Sequence, residues 1–442
     1  MGTAARRGLG ATLVAAAATL TACGGGNVNT VPVSANQLDT QFVVVGRSIY
    51  ESEVGAGTAS VRRSAAATGT KLFLRGVAYS PEPNGVPIQS NFSANVLGDN
   101  NRATWSRDIE TMRSAGVNAI KVYNVPPPQY DGGDKINSFL DAAWNGGTNP
   151  IYVIISINIE KRGAALLDPG AVRSLVGQYS QLAEAYANKP ALLGISVGNE
   201  LADANYRSQP AWWAAFNQIA RAAKSGFAAA GEPNKLVISS EIDDGGLTVQ
   251  SGEANGVAID VWGINSYRGR TFTNLFSELA SATTKPVLVT EYGATAAYHP
   301  SVQATYTYPL DGNKTLTAQC TPNVVQSASS PTDVAELPPT GGRSMAGLID
   351  YAVNTTTLLH DSFVTDGVSS GGFYFEWTDE WYKNGSGGTQ HLASVPGYSG
   401  AFPGCAWDEA WFGLNRSDPG TPNILTPRPT LDAISKVWKS ES

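Results

Sequence analysis

Two glutamates stand where short apolar runs give way to polar residues. The run 192–198 ends in Asn199-Glu200, and the run 286–290 ends in Glu291-Tyr292-Gly293. If both runs are strands of one barrel, their carboxyl ends open on the same face and the two side chains project into one cavity. A carboxyl pair of that kind suits cleavage of a glycosidic bond with retention. At about 5–5.5 Å apart, one group protonates the leaving oxygen while the other attacks the anomeric carbon. The acid must keep its proton near neutral pH, which burial and a nearby like charge bring about. Other hydrolytic chemistries lack their parts. There is no nucleophile elbow for a Ser/His/Asp triad. His299, His360 and His391 lie far apart without ligand spacing, so no metal is expected, and no cofactor motif is present.

The elements that must carry these residues are legible as a repeat. Apolar, β-branched runs occur at 72–80, 117–125, 151–159, 192–200, 235–241, 257–267, 286–293 and 371–379. Between them lie helical stretches at 102–115, 134–144, 169–187, 209–229, 272–281 and 343–360, with a last one near 430–439. Strands buried on both faces read as continuous apolar runs, and their alternation with helices predicts an α/β protein with a parallel sheet. Eight repeats point to a (β/α)8 TIM barrel with long insertions after the seventh and eighth strands, 294–342 and 383–427. A doubly wound nucleotide-binding sheet would need a glycine fingerprint after its first strand, and Arg75-Gly76-Val77-Ala78-Tyr79-Ser80 does not supply one. Trp212 and Trp213 read as helix-packing residues.

The strand motifs resemble glycoside hydrolase clan A, and within it most closely the family 72 β-1,3-glucanosyltransferases. The resemblance runs from residue 71 to about 382. LFLRGVAYSP looks like the family's opening strand, GVNAIKVYNV its second, VGNE its acid/base strand and TEYG its nucleophile strand. It implies Glu200 as acid/base, Glu291 as nucleophile, Asn199 on the sugar's 2-hydroxyl, Tyr267 bonded to the nucleophile, and Trp377 as the floor of the subsite for the cleaved sugar. It also implies β-glucan, β-1,3-linked, as substrate. Lys121 stands where many clan members have arginine, and FEWTDEW (375–381) resembles bacterial barrel domains near families 2 and 17. Tyr123, Asn124 and Arg75 are further binding candidates. Glu376, Asp379 and Glu380 form an acidic edge of the cleft or are simply solvated.

The amino terminus reads as a leader. Arg6 and Arg7 precede an apolar stretch from Leu9 to Leu20, too short for a permanent span. Leu20-Thr21-Ala22-Cys23 resembles the bacterial lipobox, which implies a signal peptide at 1–22, lipidation of Cys23 and a membrane partner through the acyl chains. Residues 23–69 form a tether and extension before a glycosidase barrel at 70–442. Within that extension 41–50 has strand character, and residues 40–69 suggest no function. Export places Cys320 and Cys405 where disulfides persist, so the two form a bridge over the mouth or are separate buried thiols. The balance of 30 Lys+Arg against 37 Asp+Glu disfavours nucleic acid as a partner. A neutral oligo- or polysaccharide remains open, and the 10 Trp and 17 Tyr supply flat faces of the kind that stack on sugar rings. The competing expectations are a non-catalytic polysaccharide-binding surface lipoprotein on an inherited barrel, and a purely structural envelope protein without a pocket.

Overall fold

The computed structural model describes residues 39–54, 69–81, 96–127, 136–298, 335–340, 344–381, 409–417 and 425–441. Cys23, Cys320, Cys405, His299 and His391 lie outside the described residues, as do most of the two insertions. Among the described residues no helix is long and apolar enough to cross a membrane.

The described residues open with a hairpin, β1 (Asp39–Val45) and β2 (Ser48–Val54), extended by β3 (Thr70–Lys71). The barrel strands follow as β4 (Leu74–Ala78), β5 (Ala119–Val122), β6 (Tyr152–Ser156) and β7 (Leu192–Ser196). After these come β8 (Leu236–Ile238), β9 (Glu241–Ile242), β10 (Trp262–Asn265) and β11 (Val287–Tyr292). The short β12 (Ala297–Tyr298) and β13 (Ala335–Glu336) precede β14 (Ser369–Tyr374), the last barrel strand. A final hairpin, β15 (Asn415–Ser417) and β16 (Leu425–Pro427), leads into the carboxyl-terminal helix.

All pairings within the barrel are parallel, in the order β8-β7-β6-β5-β4-β14-β11-β10-β9. The two ends of that order, β8 and β9, are successive pieces of one strand interrupted at Ser239-Ser240. A bridge from Ile238 to Val261 and the bond from Asp260 N–H to the Val237 carbonyl (2.7 Å) close the ring. Eight barrel strands result, each inside or overlapping one of the eight apolar runs of the sequence.

The helices are α1 (Arg102–Ala115), α2 (Asn137–Trp144), α3 (Pro169–Tyr186), α4 (Pro210–Ala229), α5 (Leu247–Ala254), α6 (Leu275–Ala282), α7 (Met345–Thr365) and α8 (Pro429–Ser440). Local chemistry sets their ends. Asp168 accepts from the N–H groups of Gly170 and Ala171 ahead of α3, whose first residue is proline. Gly116 ends α1 with φ of 92°, a conformation that favours glycine. Trp212 and Trp213 pack edge to face inside α4, as expected. Helix α5 has no strong apolar stripe and gave no signal in the sequence.

Side chains fill the barrel. Leu74, Ala119, Ile154, Leu193, Ile238, Leu288 and Phe373 form one inward cluster. Gly76 belongs there because a Cβ would meet the Phe373 ring at 2.3 Å. The amino-terminal hairpin joins the same cluster: Phe42 and Ile49 are buried in it, and Phe42 meets Tyr152 edge to face at 5.2 Å. Phe42 and Ile49, from a segment for which the sequence suggested no role, therefore plug the end of the barrel where the strands begin.

Candidate active site

The opposite end, where the strands finish, gathers the polar residues. After β7 the chain turns sharply, with Gly198 at φ 66° and Glu200 at φ 53°. The turn is pinned on three sides. The Tyr179 hydroxyl accepts the Gly198 N–H (2.8 Å), the Ser240 carbonyl accepts the Glu200 N–H (2.6 Å), and the Glu241 carboxyl accepts the Ala202 N–H (2.8 Å). Left-handed backbone at a non-glycine residue is costly and persists only where the surroundings hold it.

Glu291 reaches the cavity by a different device. The pairing of β10 with β11 shifts register so that Asn265 lies opposite Glu291, and the β11–β14 register shifts between Val289 and Tyr292. This irregularity lets Thr290 and Glu291 both turn toward the cavity, a known use of strand irregularities near active sites. Thr290 donates to Asn265 Oδ1 at 2.8 Å.

Glu291 is nearly buried, and both its oxygens are held. Oε1 accepts from the Tyr123 hydroxyl (2.8 Å) and Lys121 Nζ (3.1 Å), and Oε2 accepts from the Tyr267 hydroxyl (3.0 Å). Burial, then the charge of Glu291, raises both phenols well above the usual tyrosine range, so they remain donors. Lys121 also donates to Asn199 Oδ1 (2.9 Å), and Asn265 Nδ2 donates to Asn199 Oδ1 (3.2 Å) and Glu200 Oε1 (3.1 Å). With its oxygen taken by two donors, Asn199 has its amide N–H groups to offer a ligand.

Glu200 stands in a different field. Burial pushes its carboxyl up from the ordinary range, and the charge of Glu291 pushes the same way; Asn265, Arg162 and Lys121 oppose them. Arg162 lies 3.3 Å from Oε2 but is largely exposed, so its pull is weakened by solvent. One carboxylate is thus clasped by three donors, while its neighbour is biased toward keeping a proton.

Around Glu291 sits an aromatic collar. Phe375 packs on Tyr123 (ring centroids 6.4 Å) and on Phe412 (5.8 Å), and Phe412 on Tyr267 (6.3 Å).

The pattern of glycoside hydrolase family 72, described as glucanosyltransferase, matches residues 57–306, more than half the chain and inclusive of both glutamates. The chain belongs to glycoside hydrolase family 72. A curated relative, 1,3-β-glucanosyltransferase gas1 of Schizosaccharomyces pombe, is 27% identical over 143 residues, which are 32% of this chain and 24% of that protein. The match thus spans about a quarter of that relative's length. Among solved structures, Saccharomyces cerevisiae Gas2p in complex with laminaritetraose and laminaripentaose aligns at a TM-score of 0.54 with 16% identity, over 92% of this chain and 69% of that one. A GH2 β-galacturonidase from Eisenbergiella tayi aligns at 0.54 with 14% identity, over 91% of this chain and 54% of that one. At such identities the two structures show the barrel fold and nothing finer.

Within this family 72 barrel, Glu200, Glu291, Asn199, Tyr123 and Tyr267 come together in one hydrogen-bonded set. Three sequence expectations are corrected. Arg75 lies on the outer face of β4, its Nε donating to the Gly116 carbonyl at 3.0 Å, because Leu74 and Gly76 on either side of it face inward. Trp377 is fully buried in the core cluster of the outer layer and has no free face for a sugar. Its segment is drawn away from the cavity by pairing with Ala78 and Asn415. Asp379 is buried against Arg428 (2.7 and 2.9 Å) and accepts the Gly413 N–H, so it holds loops together. Glu376 and Glu380 are buried rather than solvated. Conversely, Lys121, Asn265, Phe375 and Phe412 belong to the site, and the sequence reading had assigned none of them to it. Among the described residues no cluster of His, Cys, Asp and Glu is arranged for a metal.

Proposed function

We propose that this protein cleaves β-linked glucan by double displacement and passes the glycosyl group to a sugar hydroxyl or to water. The observation that carries the reading is the contrast between the two carboxyls: Glu291 clasped by Lys121, Tyr123 and Tyr267, Glu200 raised by burial beside it. Environments that differ in this way assign the roles of nucleophile and acid. Glu200 protonates the glycosidic oxygen while a Glu291 oxygen bonds to the anomeric carbon. Glu200, now ionised, takes the proton of the incoming hydroxyl, and the ester to Glu291 breaks. Asn199 offers its amide to a sugar hydroxyl, and the apolar surface that the resemblance implies at Trp377, as the subsite floor, is supplied by Phe375 and Phe412. Membership of family 72 and the relative named as a 1,3-β-glucanosyltransferase support β-1,3-glucan as the substrate. The leader sequence supports export with a lipid on Cys23, and the compartment supports a Cys320–Cys405 bridge.

Incubation with a panel of β-glucan oligosaccharides, read by mass, tests the reading. Wild type should give shorter products by hydrolysis or longer ones by transfer, and Glu291→Ala should give neither, a loss of at least about a thousandfold. Glu200→Ala should spare aryl glycosides whose leaving groups need no proton. Tight oligosaccharide binding with no product from wild type would favour the binding-protein alternative instead.

A further inference from the structure

Glu241 opens β9, the second piece of the fifth barrel strand, behind the turn that carries Glu200. It pairs in register with Ile264, whose side chain belongs to the outer core, so Glu241 points away from the cavity and under the chain that follows β7. It is fully buried. Its Oε2 accepts the Ala202 N–H at 2.8 Å, and the Leu201 N–H lies close enough to act on the same carboxyl. The preceding amide, that of Glu200, bonds to the Ser240 carbonyl. The N–H groups of Glu200 and Ala202 are therefore received by two successive residues of the fifth strand.

We infer that Glu241 is a positioning residue for the acid/base: with the Ser240 carbonyl it anchors the amides after β7 and so holds Glu200 in the left-handed conformation that aims it at the cleft. The inference rests on the reading of Glu200 as acid/base. A carboxyl in this place, where an amide or hydroxyl would serve as acceptor, has an electrostatic consequence. The charged groups facing it are Glu200 and Asp244, with Arg162 on the far side of Glu200 and Arg207 paired to Asp244. Burial first, then those two like charges, push Glu241 up to about 8, although the backbone N–H bonds pull the other way. Glu241 is accordingly neutral through the acidic and neutral range, and Glu200 can lose and regain its proton without a second fixed negative charge behind it. The other oxygen, Oε1, is buried and has no hydrogen-bond partner among the described residues, so nothing in the structure favours a charge on it.

The test compares full-length wild type, Glu241→Gln and Glu241→Ala. Amide exchange over residues 198–204 reads the anchor without reference to activity. Glu241→Ala should lose protection at Ala202 by about tenfold or more, and Glu241→Gln, which keeps a carbonyl acceptor, should retain it. On oligosaccharides Glu241→Ala should lose at least about tenfold in kcat/KM, yet change little on aryl glycosides that need no proton. Glu241→Gln should keep most of the rate and the same alkaline limb of the pH profile. Unchanged exchange in Glu241→Ala overturns the inference, and so does equal loss on both substrate types or an alkaline limb displaced by Glu241→Gln. Absence of turnover by wild type on every substrate would instead defeat the functional reading, and the exchange result alone would then decide whether Glu241 holds the turn.

Discussion

At the end where its strands begin, the barrel is stoppered by Phe42 and Ile49, which share an apolar cluster with Tyr152, Leu74 and Leu236. At the other end Lys121, Asn199, Glu200, Asn265, Thr290 and Glu291 occupy the same cylinder and are joined to one another by hydrogen bonds and an ion pair. Apolar packing is forgiving in direction and rewards volume, so the base contributes stability. A buried polar set costs desolvation and must be satisfied atom by atom, so the mouth contributes geometry at some expense of stability. The two ends divide the work of the fold, and substitutions should separate them.

The largest separation is expected from Lys121→Met. It leaves Glu291 and Asn199 without their shared cation, so kcat should fall by about a hundredfold to a thousandfold, as on loss of one preorganised donor. Lys121→Arg should recover part of that rate. A Lys121→Met enzyme with wild-type kcat would show that the cation is only structural. At the base, Phe42→Ala should lower the unfolding free energy by about 3–5 kcal/mol, the cost of emptying a buried aromatic site, with kcat per folded molecule unchanged. Chemical denaturation beside active-site titration measures both, and a large fall in kcat would mean that the ends are coupled.

A subtler contrast concerns pH. Glu241 is raised from 4.5 to about 8, so folding takes up a proton between those values. Its contribution to stability is fully present below about 4.5 and is lost as the pH rises through about 8. Glu241→Gln, which never ionises, should flatten the decline of stability over that window, as urea unfolding at a series of pH values would show; an unaltered slope would mean that Glu241 is charged throughout. The smallest effect is assigned to Arg162→Ala. Its exposed guanidinium holds Glu200 down only weakly, so its loss should move the alkaline limb of activity slightly upward, and a downward move would contradict the contact.

Legibility in the sequence followed the same division. The eight strands stood out because burial on both faces forces continuous apolar runs, and α1 was bounded correctly at 102–115. Glu200 and Glu291 stood out as carboxylates ending such runs. Alternation along a strand also held information that went unused. Since Leu74 and Gly76 face inward, Arg75 must face out; since Ala119 faces inward, Lys121 must follow it into the cavity. Other features had no local signal. The bonds from Lys121 to Asn199 and from Asn265 to Glu200 cross the barrel, and only the mutual register of distant strands makes them. Trp377 and Asp379 were misread because the chain past Phe375 leaves the strand to pair with residues 412–415, a departure that neither residue type announces.

The plug has a consequence in time as well as in space. The hairpin is synthesised before every barrel strand, yet the Ser370 hydroxyl that bonds to the Arg47 carbonyl lies 323 positions later. Strand β4 likewise waits for β14 before its second edge is paired. Until the last barrel strand arrives, Phe42 has only part of its socket and β4 presents an open edge, the features that invite aggregation in slow, non-local folds. A chain arrested before residue 374 would therefore lack more than one strand: it would be an unclosed sheet with its stopper out.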